Sequence, residues 1–135
     1  KEQIVLQEKL TSLNVNLNLL GNIDHNKLIK IYNKYIYFVT SSVFEGNPKT
    51  VLEAMSMGCV VLASEIPNHK EIILNNETGY IYELKDDLLI QLYKRINEDS
   101  DKLQLVSSSA FQQVRKNNSI QKLTVNMYED YLSLN

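Results

Sequence analysis

Five consecutive apolar residues, Cys59-Val60-Val61-Leu62-Ala63, constrain the fold more than any other feature of this chain. A strand that is apolar at every position needs cover on both faces, the usual condition of a strand in a parallel sheet flanked by helices. The neighbouring segments supply that cover by alternating their periodicity. Ile4, Val5, Leu6, Leu10 and Leu13 share a helical face, and Val15 to Leu20 alternates with a period near two until Gly21 breaks it. Asp24 caps an expected helix over His25 to Lys34 with Leu28, Ile31 and Tyr32 on one side, and Tyr35 to Val39 is a β-branched and aromatic run. A polar loop, Thr40 to Asn47, then leads into a helix ending near Gly58, ahead of the apolar strand. Beyond Pro67 the pattern gives a short helix over Asn68 to Leu74, a turn at Asn75 to Gly79 and a last strand, Tyr80-Ile81-Tyr82. From Asp86 onward it is helical, with breaks near Asp99-Ser100 and Asn117-Asn118-Ser119. Strands and helices in this order predict an α/β fold, a doubly wound parallel sheet of Rossmann-like type with C-terminal helices. Ligands on such sheets bind at the carboxyl ends of the strands, which singles out the loop after Phe38-Val39.

Charge and cysteine content remove several alternatives. With 14 basic and 16 acidic side chains the net charge is -2, so no overall basic field draws the chain to nucleic acid. The one cysteine, Cys59, lies in the apolar strand and excludes a disulfide framework, which suits a cytoplasmic setting. No apolar run approaches the ~18 residues that span a bilayer. At 135 residues a single domain over residues 1–135 is expected. Because the chain opens at Lys1 directly on a charged amphipathic stretch, it is expected to be a piece of a longer protein.

The chemistry concentrates between Ser41 and Met55. A helix that opens after a strand-end loop leaves amides at Lys49, Thr50 and Val51 free, and with the helix dipole these suit a phosphate or diphosphate. Gly46 allows a ligand close to the backbone. Glu45, in the loop, can accept hydrogen bonds from sugar hydroxyls. Glu53, eight residues on, can hold a ribose diol. Two carboxylates flanking an anion site fit a nucleoside diphosphate sugar.

This segment resembles the C-terminal, donor-binding domain of the family-4 retaining glycosyltransferases of GT-B fold, whose signature is Glu, seven residues, Glu in a Glu-Gly-rich stretch. The resemblance continues through Glu53-Ala54-Met55-Ser56-Met57-Gly58 and the apolar strand to Ser64, then Glu71-Ile72-Ile73 and Asn76-Glu77-Thr78-Gly79-Tyr80. Leu19-Leu20-Gly21-Asn22-Ile23 resembles the loop bordering the nucleobase. By this resemblance Glu45, Gly46 and Asn47 contact the donor sugar, with Glu45 the catalytic candidate. Lys49, Thr50 and Val51 hold the diphosphate, Glu53 the ribose, and Gly21, Asn22 and Ile23 the base. It further implies retaining transfer of a hexose to a glycan, lipid or polysaccharide, with front-face attack the usual proposal. No metal or other cofactor is implied. The acceptor would be bound by an N-terminal domain outside this chain, and the full-length protein is expected in the cytoplasm, associating peripherally with the inner face of the membrane. Two departures stand out. Pro48 offers no amide where many relatives have a glycine. The family's Arg and Lys diphosphate clamp belongs to an earlier strand-helix unit that this chain lacks.

Plainer assignments compete at several residues. Thr50 and Glu53 fit a capping box, which would turn Glu53 back on its own helix, whereas Asn47-Pro48 as cap and first position would leave Glu53 free. Asp99-Ser100-Asp101 imitates a metal-binding Asp-x-Asp but falls between helices and reads as a solvated loop. His25 and His69 read as surface residues, with His25 opening a helix. Tyr32, Tyr35, Tyr37, Tyr80 and Tyr82 fall on core spacings. A noncatalytic nucleotide- or sugar-binding α/β module is the alternative to an enzyme, and an unrelated phosphate-binding domain would require the loop after Val39 to be occluded.

Overall fold

The structure is a computed structural model that describes residues 18–117. Three parallel strands form the sheet: β1 (Tyr37–Thr40), β2 (Val60–Ser64) and β3 (Tyr80–Tyr82), in the order β1-β2-β3. Tyr37 pairs with Val60 at one edge of β2, and Leu62 with Tyr80 at the other. The connections run through α1 (His25–Lys34) into β1, α2 (Lys49–Ser56) between β1 and β2, and α3 (Pro67–Ile72) between β2 and β3. Two further helices follow, α4 (Leu88–Asn97) and α5 (Ser100–Asn117).

The apolar strand is buried at all five positions, and its alternation divides the core in two. Val61 and Ala63 join Tyr32 of α1, Val51, Leu52, Ala54 and Met55 of α2, and Ala110 and Val114 of α5. Val60 and Leu62 face the other way, onto Tyr80, Tyr82, Leu92 and Ile96 of α4, and Val106 of α5. Helices therefore cover both faces, as the sequence of β2 requires. The long helix α5 contributes to both cores.

Local chemistry sets the boundaries. Asp24 caps α1 by accepting from the Lys27 amide at 3.0 Å. At the far end of α2, Gly58 takes φ +82°, and the amides of Gly58 and Cys59 bond back to Met55 and Ala54 at 3.2 and 3.0 Å. That left-handed turn releases the chain straight into β2. Asp99, the first residue of the imitation metal motif, caps α5 by accepting from the Lys102 amide at 2.9 Å. Cys59 is buried as a free thiol, and burial pushes its pKa up.

Several expectations are corrected or fall outside the described residues. Lys1 to Leu13 and Val15 to Leu17 lie outside them, as does the last helical break after Asn117. Asn18 to Leu20, the described part of the expected first strand, is irregular and exposed, with no strand beside it among the described residues. Tyr35 is 52% exposed because it stands at the junction of α1 and β1, where neither period applies. Tyr32, Tyr80 and Tyr82 are buried as expected. His69 is fully buried rather than at the surface. It shares one side of α3 with Ile72 and Ile73, an i, i+3, i+4 spacing that carried the signal in the sequence. No helix among the described residues is long and apolar enough to cross a membrane.

Candidate functional site

The loop Ser41 to Pro48 leaves the carboxyl end of β1 and is pinned by side-chain hydrogen bonds from three elements. Tyr82, at the end of β3, donates to the Thr40 carbonyl at 3.1 Å, so its oxygen receives the proton of Ser41 at 2.7 Å. Ser64, at the end of β2, donates to the Ser42 carbonyl at 2.5 Å. Asn68 of α3 donates to the Gly46 carbonyl at 3.2 Å. Within the loop, Ser42 donates to Oε1 of Glu45 at 2.6 Å and accepts from Thr40 at 3.2 Å. Glu45 is half-buried and its carboxylate is held at the strand end, where the fold places ligands.

The start of α2 resolves the two capping alternatives. Pro48 is the N-cap, Thr50 lies inside the helix, and no side chain caps it. The capping box is absent, and so is the alternative with Asn47 as cap and Pro48 at the first position; the Asn47 carbonyl accepts from the Lys49 amide at 2.8 Å. The Val51 amide bonds to the Pro48 carbonyl at 3.1 Å. Of the three amides expected to be free, only that of Thr50 has no partner among the described residues. Val51 is also buried, so its part in any anion site is to shape the helix start.

Glu53 looks out from the second turn of α2 toward α1. Its Oε1 lies 3.9 Å from Nδ1 of the exposed His25. Burial, and then the negative charge of Glu53 beside it, push the Tyr32 hydroxyl up to about 12. His25 follows the segment Gly21-Asn22-Ile23, in which Gly21 takes φ +60° and stays exposed. The loop, the start of α2, Glu53 and the entry to α1 thus form a continuous strip at one end of the sheet. Val43 and Phe44 stand on its rim at 81% and 82% exposure, and the loop is open. Gly46 faces open space, with no atom within 4 Å of where a Cβ would stand.

A cleft of about 770 Å³ runs instead along the outer edge of β3, lined by Glu65, Lys70, Asn75, Glu83 and Arg95 among others. None of the residues from Ser41 to Glu53 lines it.

A parallel sheet wound by helices on both faces, with a polar strand-end loop running into a helix start, defines a Rossmann-like α/β domain. The chain belongs to the glycosyl transferases group 1 family, whose model matches residues 1–113. It is 30% identical over 101 residues, 75% of its length, to the Xenopus tropicalis glycosyltransferase 1 domain-containing protein 1, and spans 29% of that protein. Among solved structures, the C-terminal domain of a glycosyl transferase group 1 family protein from Francisella tularensis superposes with a TM-score of 0.74 at 25% identity. That match covers 85% of this chain and 61% of the other. Anabaena HepE, solved in complex with UDP-glucose, shares the fold with a TM-score of 0.75 at 17% identity, over 92% of this chain and 36% of HepE. The chain thus corresponds to the C-terminal domain of a glycosyltransferase and spans under a third of its curated relative.

Proposed function

We propose that this domain binds a nucleoside diphosphate sugar along the strip from Gly21 to Glu53 and forms the donor side of a retaining hexosyltransferase. The observation that carries the reading is the Glu45 carboxylate, fixed by Ser42 at the carboxyl end of β1 one short loop ahead of the open Thr50 amide. A sugar over Glu45, Gly46 and Asn47 would place its diphosphate at the start of α2. There the Thr50 amide and hydroxyl and the Lys49 ammonium meet it, and the helix dipole favours its charge. The nucleoside then runs toward Glu53, whose carboxylate suits a ribose diol, with Gly21, Asn22 and Ile23 bordering the base. UDP-glucose in the structurally similar HepE supports a donor of this class.

During transfer the acceptor hydroxyl oxygen bonds to the anomeric carbon as the bond from that carbon to the diphosphate oxygen breaks. The diphosphate leaves with the electron pair and takes up the hydroxyl proton. Negative charge therefore grows at the start of α2, where a fixed amide and dipole stabilise it without a metal. The acceptor, a glycan, lipid or polysaccharide, is met by an N-terminal domain beyond this chain.

Titration of the full-length protein with UDP, GDP and ADP sugars tests the reading, wild type beside Glu45→Ala. Binding and turnover by the wild type, lost or severely weakened in the variant, is expected. A full-length wild type that neither binds nor consumes any of them would end it.

A further inference from the structure

Behind the loop, a buried histidine has no place in the chemistry described so far. His69 is fully buried on α3, and its Nδ1 lies 2.8 Å from the Ser64 carbonyl. A carbonyl only accepts, so Nδ1 carries the proton and Nε2 presents a lone pair. That Nε2 is buried and has no hydrogen-bond partner among the described residues. An unpaired buried acceptor costs stability, so packing alone would be served better by an apolar side chain of similar size. Nor does the Ser64 carbonyl depend on the imidazole, since it also accepts from the Ile66 amide at 2.9 Å.

What the Nδ1–H does is fix the peptide of Ser64 at the turn out of β2. The hydroxyl of that same residue donates to the Ser42 carbonyl at 2.5 Å, and the Ser42 hydroxyl donates to Glu45 at 2.6 Å. An unbroken relay of contacts thus runs from His69 through Ser64 and Ser42 to the Glu45 carboxylate. The preceding residue on α3, Asn68, holds the Gly46 carbonyl. We propose that His69 is a positioning residue that sets the Glu45 carboxylate through Ser64 and Ser42, and so tunes recognition of the donor sugar without touching it. This rests on Glu45 meeting the sugar, as proposed above.

The test compares His69→Leu, His69→Asn and Ser64→Ala in the full-length protein. Asparagine can still donate a proton near the Nδ1 position, and leucine cannot. With whichever of UDP-, GDP- and ADP-glucose the wild type turns over, kcat/KM falls about ten- to a hundredfold in His69→Leu and Ser64→Ala. His69→Asn recovers most of that loss. Inhibition by the free nucleoside diphosphate stays within about twofold of wild type in all three, which a distorted nucleotide site would not allow, and kcat is expressed per folded molecule. Crystal structures of the variants give a readout that needs no donor: the Ser42 to Glu45 hydrogen bond breaks in His69→Leu and persists in His69→Asn. Wild-type kinetics in His69→Leu, or an unmoved Glu45 in its structure, would overturn the inference. A wild type inactive on every donor would instead remove the proposed function, and the position of Glu45 in the variant structures would still decide the role of His69.

Discussion

The sheet is closed at its two ends by loops that use glycine for different purposes. At the carboxyl ends of the strands, Gly46 sits in a loop held by side chains, with nothing within 4 Å of its missing Cβ. At the opposite end, the turn before β3 is held by packing and local bonds. Thr78 accepts from the Leu74 amide at 3.0 Å, Asn75 accepts from the Ile81 amide at 2.9 Å, and Asn76 takes φ +67°. A Cβ on Gly79 would come within 3.0 Å of both the Val61 carbonyl oxygen and the Ile73 side chain. One glycine is required by neighbours that are present, and the other keeps space clear. The Gly79 turn carries stability, and the Gly46 loop stays open.

Substitutions can break that contrast, beginning with the largest expected effect. Glu45→Ala lowers kcat/KM for the nucleotide sugar by about 10²- to 10³-fold, the scale of losing one placed group in an active site. Its folding stability, measured by denaturant titration, stays within about 0.5 kcal/mol of wild type. Gly79→Ala reverses the pattern, costing about 1–3 kcal/mol in the same titration because backbone and a packed isoleucine must move. Its activity per folded molecule is unchanged. Gly46→Ala leaves stability equal or up to about 1 kcal/mol higher, since the unfolded chain loses freedom, while the donor KM rises several-fold. Equal stability losses from the two glycine variants would erase the distinction between the loops.

A fourth test probes the back wall of the site and has its smallest effect at neutral pH. Tyr32 is raised from 10.0 to about 12 in the folded protein, by burial first and the Glu53 charge second. Its neutral form is therefore favoured by folding. The stabilisation is fully present below pH 10 and is lost as pH rises through about 12. Thermal melts at pH 9 and pH 11.5 should show a smaller alkaline loss for Tyr32→Phe than for wild type, with the two proteins close together at pH 7.

Most of the fold was legible because burial imposes periodicity. The apolar run Cys59 to Ala63 announced cover on both faces, and Asp24, Gly58 and Pro67 marked helix ends through local chemistry that needs no distant partner. Glu45 at the strand end was legible for the same reason: a polar loop between a buried strand and an amphipathic helix has few places to go. The start of α2 was less so. Asn47 and Thr50 each offered a reasonable cap, and the structure uses neither: Pro48 is the N-cap, beside a loop anchored at Gly46 by Asn68, 22 residues away. His69 was obscured because its neighbours Asn68 and Lys70 are polar, and a buried imidazole gives the same local pattern as an exposed one until its helix face is counted.

Helix α5 places Val106 in the core on one side of the sheet and Ala110 and Val114 in the core on the other. Neither core can loosen without disturbing a helix that the other also holds. The described region should therefore unfold as one cooperative unit, with the amides of β2 that face β1 and those that face β3 sharing one protection free energy set by global opening. Fraying of α5 from its C-terminal end would be felt first by Val114, on the side of Tyr32 and α2. A change of sequence far from the loop Ser41 to Pro48 thus lowers the population of folded domain that presents it, with every contact in the loop unaltered.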